Sequence, residues 1–246
     1  MKVFAIALVI LGFVSPAAAQ SAIQYDSPEL TSGKVHVKRV VLTPVSALVS
    51  QLNWKSGVYD PGTPMEAESQ KLEKDLNPVV AATLKSLGFT VDDAFLSPES
   101  LAGNKDLGDK VELVQAAFAM QKSEIELHKK RYATESVSLG ETVPNLHVPD
   151  DSDAIVIVRA RDFVETKGKK FMNSAPGYGL QSTGGWYLDI GIVDAKTGAI
   201  LYIVRAIGGN ADIVKEPEKA GPKIEKSFKN FFKYNAASAG SHEPKS

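Results

Sequence analysis

The side chains of this 246-residue chain that could do chemistry are few and scattered. Asp92 and Asp93 are adjacent carboxylates, the residue type that general acid–base work uses. Asp also serves a tight turn by accepting hydrogen bonds from its own backbone, and the turn is the better reading here. Glu124 and His128 stand four apart on one helical face. That spacing suits two metal ligands or a solvated ion pair; no further ligands lie nearby, so the ion pair is preferred. Asp150, Asp151 and Asp153 look like a piece of a calcium loop. A full loop needs more oxygen ligands, a Gly and a closing Glu, whereas Ala154 opens an apolar run, so a turn leading into a strand is the better reading. His36 has no second His at a ligand spacing and reads as a solvent-facing strand residue. Gly177-Tyr-Gly179 lacks the third Gly and the following helix of a dinucleotide fingerprint, and no Gly-x-Ser-x-Gly elbow is present. The chain has no Cys, which excludes a thiol nucleophile, a disulfide framework and Cys-ligated metal. The chain therefore reads as non-enzymatic, with no cofactor and no metal.

Residues suited to binding are easier to find. The stretch from Thr166 to Gly185 mixes Lys167, Lys169 and Lys170 with Phe171, Met172 and Tyr178 among several Gly. Glycine frees the backbone, and Met and aromatic side chains can bind apolar partners. It reads as a loop that contacts a partner or a membrane surface; the alternative is a hairpin extension with no partner. A second long connection, residues 46–64, carries Trp54 and Tyr59 around the turn Asp60-Pro-Gly62. Connections of this length are uncommon in compact domains unless functional or packed on themselves. Trp54 and Tyr59 either form a contact surface or Trp54 folds back onto the core.

These stretches hang on elements that the hydrophobic pattern marks out. Ala154-Ile-Val-Ile-Val158 is apolar at every position, as a central strand covered on both faces should be. Arg159 to Glu165 alternates, so the same strand is expected to run past the sheet edge or bend there. Two further β-rich runs flank Asp194-Ala-Lys-Thr-Gly198 and predict a hairpin with Gly198 at positive φ. A strand is expected from Lys34 to Leu42, stopped by Pro44, and a short one at Phe89–Val91. Thr63, Pro64 and Glu66 predict a helix start with Thr63 as N-cap, and Gly88 its end; Pro78 should kink or divide it, with Asn77 capping the second piece. Residues 96–109 read as loop with a helical turn after Ser97-Pro98. A second long helix follows, capped by Asp109, with Val111, Val114, Phe118 and Ile125 on one apolar row and Leu113, Ala117, Met120 and Leu127 on the next. Ile224, Phe228, Phe231 and Phe232 lie at helical spacing among lysines; this stripe either packs on the sheet, the better reading, or rests on a membrane. The order of elements predicts an α/β (α+β) fold, a single mixed β-sheet with helices packed on its faces.

The N-terminus carries an address. Lys2, the apolar run Val3–Val14 and Ala17-Ala-Ala19 fit a cleaved secretory signal over residues 1–19, with cleavage near Ala19/Gln20. Residues 20–33 read as a flexible lead-in, 34–234 as one domain and 235–246 as a disordered tail. Net charge is −1, so no basic excess marks a nucleic-acid binder.

Four segments together resemble a known fold family: Val40-Val-Leu-Thr-Pro44, Leu84-Lys-Ser-Leu-Gly-Phe89, Ser152-Asp-Ala-Ile-Val-Ile-Val158 and Leu188-Asp-Ile-Gly-Ile-Val-Asp-Ala-Lys-Thr-Gly-Ala-Ile-Leu201. This series is similar to the periplasmic α/β domain of the curli-secretion channel protein, to related outer-membrane lipoproteins including activators of penicillin-binding proteins, and to the N-terminal domain of TolB. The resemblance implies a non-enzymatic periplasmic accessory or assembly protein of the cell envelope, working by binding other envelope proteins or by self-association into an oligomer, with at most peripheral membrane contact. Those lipoproteins begin with a lipidated Cys where this chain has Gln20, so a soluble periplasmic form is expected. No family site residue carries over. The alternative is a periplasmic small-molecule-binding protein or enzyme with its site in the crevice at the strand ends.

Overall fold

The computed structural model describes residues 23–52, 54–55, 58–59, 63–165, 185–208 and 213–239. In chain order the strands are β1 (Gln24–Asp26), β2 (Arg39–Leu42), β3 (Ser46–Leu52), β4 (Trp54–Lys55), β5 (Val58–Tyr59), β6 (Thr63–Pro64), β7 (Thr90–Asp92), β8 (Ala154–Glu165), β9 (Trp186–Asp194) and β10 (Ile200–Ile207). The helices are α1 (Pro28–Thr31), α2 (Glu66–Ser86), α3 (Pro98–Ala102), α4 (Lys105–Leu127), α5 (Lys129–Tyr132), α6 (Ala220–Ser227) and α7 (Lys229–Ala239).

The expected single mixed sheet is present. Its eight strands run β1-β10-β9-β8-β2-β7, with β3 on the far half of β8 and β6 on β3. β8 is the spine: its first residues pair in parallel with β2, its last seven in parallel with β3, and its other edge is antiparallel to β9. Period-2 alternation divides the core into two layers. Val156, Val158 and Ala160 pack toward Leu72, Leu76, Val80 and Leu84 of α2 and Ile224 and Phe228. Ile155 and Ile157 pack with Val111, Val114, Phe118 and Ile125 of α4. The expected hairpin joins β9 to β10. Asp194 Oδ1 accepts from the N–H groups of Lys196 and Thr197, and Gly198 has φ +69°.

The last aromatic stripe packs on the sheet. Phe228 and Phe231 are fully buried and pack edge-on or tilted against Phe89 and Tyr202, with centroids 5.4–6.0 Å apart.

Several expectations are corrected. The lead-in is ordered from Ile23: β1 pairs with β10, Ser27 caps α1, and Ile23, Tyr25 and Leu30 are buried. The tail begins later than residue 235, because α7 continues to Ala239 and Asn235 is buried. The Asn235 side chain accepts from Val37 N–H and donates to Val37 C=O, both at 2.8 Å, and the His36 ring nitrogen lies 2.9 Å from Asn235 O. Those contacts occupy the backbone that would otherwise extend β2, so β2 starts at Arg39 and His36 faces α7. Residues 46–64 are mostly strand. β3 keeps Arg159–Glu165 inside the sheet, where the alternation had suggested an overhang. Thr63 and Pro64 belong to β6, and Met65 takes the N-cap position of α2 without a side-chain bond. α2 also runs unbroken through Pro78; Asn77 does not cap, but accepts from Val45 N–H and donates to Glu73 C=O. α4 starts four residues before Asp109, capped by Asn104.

Candidate functional site

The α4-facing side of the sheet changes character halfway along β8. The residues on that side are Ile155, Ile157, Arg159 and Arg161, so an apolar stripe turns cationic without leaving its face. Cross-strand register extends the change sideways. One row holds Ile157, Gly191 and Ile203; the next holds Ser46, Arg159, Asp189 and Arg205; the next holds Leu48, Arg161, Tyr187 and Ile207. Phe118 of α4 closes the apolar part. A Cβ at Gly191 would lie 2.3 Å from its ring, so only Gly lets Phe118 approach the sheet this closely. One turn farther along α4, Lys122 and Glu126 stand over the charged row.

Four of these charges neutralise one another. Arg205 grips Asp189 in a bidentate pair, Nε to Oδ1 at 2.6 Å and Nη2 to Oδ2 at 3.1 Å. Lys122 Nζ donates to the same Oδ2 at 2.7 Å, and Arg205 Nη1 reaches Glu126 at 3.4 Å. The side chains are 5 % (Asp189), 7 % (Arg205) and 12 % (Lys122) exposed. Burial by itself lowers the Arg205 pKa, but the hydrogen bonds and attraction of Asp189, with Glu126, outweigh it and hold Arg205 above its ordinary value. The Arg205 guanidinium also stacks on Tyr187, 4.3 Å from the ring centre.

Arg159 and Arg161 are outside that arrangement. Among the described residues neither guanidinium makes a hydrogen bond or ion pair. Burial first, and then repulsion by Arg161, hold Arg159 below the ordinary arginine value, with Asp189 pulling weakly the other way. Both arginines line a cavity of about 580 Å³ with Ser46, Leu48, Met120, Lys122, Tyr187 and Asp189. At its rim Glu124 pairs with His128 at 3.7 Å, both about half exposed.

Beside the cavity, α4 exposes an apolar row. Leu113 (61 % exposed), Met120 (71 %) and Leu127 (74 %) recur every seventh residue, and Met120 belongs to both features. The sequence pattern places this row in the buried face of α4. It is exposed because the neighbouring row, Val111, Val114, Phe118 and Ile125, takes the sheet.

Of the residues that the sequence marks for binding, Lys167, Lys169, Lys170, Phe171, Met172 and Tyr178 lie outside the described residues. Their segment joins β8 to β9, which are adjacent as expected. Trp54 and Tyr59 are cross-strand partners in the β4–β5 ribbon. The acidic candidates serve the backbone or pair with surface cations. Asp92 Oδ1 accepts from Ala94 and Phe95, Asp153 Oδ2 accepts from Lys38 and Arg39, Asp151 pairs with Arg39, and Asp93 with Lys85. Among the described residues no three His, Asp or Glu side chains are grouped to hold a metal ion. The cationic cavity is not evident in the one-dimensional pattern, although charged residues inside apolar strands, Asp189 and Arg205, are its visible trace.

No protein-family model matches the chain, and no curated relative is found. Among solved structures, the chain is similar to one described as the PelC dodecamer from Paraburkholderia phytofirmans: 11 % identity over 86 % of this chain and 96 % of that one, TM-score 0.34. It is also similar to lipoprotein GNA1162 from Neisseria meningitidis: 12 % identity over 74 % and 91 %, TM-score 0.29. Likeness at this level does not bear on function.

Proposed function

We propose that the chain is an exported, non-catalytic accessory or assembly protein of the cell envelope that works by binding other proteins. The observation that carries this reading is the exposed row Leu113, Met120 and Leu127 on α4. Three large apolar side chains at heptad spacing on a helix otherwise anchored to the core are the pattern that a partner helix or groove covers. The N-terminal address supports the location. The segment with Lys167, Lys169, Lys170, Phe171, Met172 and Tyr178, and the ribbon with Trp54 and Tyr59, are further contact surfaces in this proposal.

The test is in-cell cross-linking of the wild type against a Leu113→Ser/Met120→Ser/Leu127→Ser variant. Exposed positions of this kind shift stability by roughly 0.5 kcal/mol or less each. The variant should therefore be exported and melt like the wild type while losing its cross-linked partner. Unchanged cross-linking would refute the role of α4. Replacing residues 167–183 by a short Gly-Ser turn asks the same of the β8–β9 connection.

A further inference from the structure

We propose that the cavity between β3, β8, β9 and α4 binds a phosphate monoester, with the phosphoryl group on Arg159 and Arg161 and the organic part against Leu48, Met120 and Tyr187. This goes beyond protein binding and does not rest on it. Lys122 and Arg205 are matched by Asp189 and Glu126, and that set is complete without a ligand. Arg159 and Arg161 are left as two positive charges on neighbouring, same-facing positions of one strand; among the described residues neither forms an ion pair, and Asp189, the nearest cross-strand carboxylate, is already held by Arg205 and Lys122. A guanidinium presents a planar fork of donors that suits phosphate oxygens, and two of them can share one phosphoryl group. A phosphate monoester carries roughly two negative charges near neutral pH, so it balances the pair, whereas one carboxylate balances only half. Arg159 is the more telling of the two. It is partly buried beside a like charge, and burial and repulsion both disfavour its charged form. A bound dianion would relieve both.

The cavity is larger than a bare phosphate needs. About 580 Å³ lies within the range of small-ligand sites, roughly 300–1,000 Å³, and its wall mixes the two arginines with apolar Leu48 and Met120 and the Tyr187 ring. The organic part is therefore compact and partly apolar. The phosphoryl group could be that of a free small molecule or of a lipid headgroup, and the experiment separates the two.

Calorimetric titration of the full exported chain uses phenyl phosphate, inorganic phosphate, benzoate and benzyl alcohol as probes, with vesicles of phosphatidylcholine alone or mixed with phosphatidic acid. Phenyl phosphate should bind best, benzoate at least about tenfold more weakly, and benzyl alcohol not at all. R159Q and R161Q should each weaken phenyl phosphate about tenfold or more, while K226Q, on the opposite face of the sheet, should not. R159M should lose binding yet melt at or above the wild-type temperature, because it removes a disfavoured charge. A purely structural arginine would give a lower melting temperature. Binding of phenyl phosphate but not of phosphatidic-acid vesicles assigns the site to a free phosphate; vesicle binding that R159Q abolishes assigns it to a headgroup. Absence of phosphate-dependent heat with every probe, or equal affinities in the wild type and R159Q, would overturn the proposal.

Discussion

Asp189 holds two cations, Arg205 and Lys122, in a region where water is scarce. Asp189→Asn keeps the shape and removes the charge, leaving both cations buried with one weak partner in Glu126. Stripping one member from a buried ion pair is expected to destabilise the protein by about 3 kcal/mol. Urea unfolding of the variant should show that loss as a lower midpoint with an unchanged slope. A midpoint within error of the wild type would mean that the network is solvated and that the cavity beside it is wetter than its geometry implies. The sequence shows Asp189 and Arg205 as charges inside apolar strands, but their meeting depends on register. Only the pairing of β9 with β10 sets Asp189 opposite Arg205, and only the pairing of β8 with β9 sets Arg159 beside them. Local pattern carries no such information. The acidic candidates were legible for the opposite reason: Asp92 and Asp194 bond within two or three residues of themselves.

Elements were legible where periodicity is long and misjudged where a distant side chain replaces a backbone partner. The first half of β8 follows from its unbroken apolar run, the β9–β10 hairpin from two β-rich runs around a turn, and the cores of α2 and α4 from helical spacing. The start of β2 does not, because Asn235, nearly two hundred residues away, takes both backbone groups of Val37. The same contact extends the domain into what composition suggests is tail. Asn235→Ala leaves a buried N–H and C=O without their bonds and should cost about 2 kcal/mol or more. A chain ending at Tyr234 should be destabilised further, and one ending at Ala239 should melt like the full chain. Equal melting of all three would show that the Asn235 contacts add nothing to stability. The apolar rows of α4 are equivalent in the sequence. Which of them meets the sheet is decided by tertiary packing, with Phe118 fitting over Gly191.

At the scale of the whole molecule the two faces of the sheet differ in use. One is closed by α2, α6 and the aromatic cluster around Phe228. The other is closed by Val111, Val114, Phe118 and Ile125 of α4 over its apolar part only. Beyond it lies the arginine cavity, and α4 turns an apolar row outward along it. The proposed binding therefore belongs to the α4 side, and the opposite side serves stability. Site-specific photo-crosslinking in living cells tests this most directly, with the reactive residue placed in turn at Leu113, Met120 and, on the closed side, Lys226. A discrete adduct from Leu113 and Met120, whether with a different protein or with a second copy, and none from Lys226, is the predicted result. Adducts from Lys226 alone, or none from α4 in the exported and folded protein, would contradict the account.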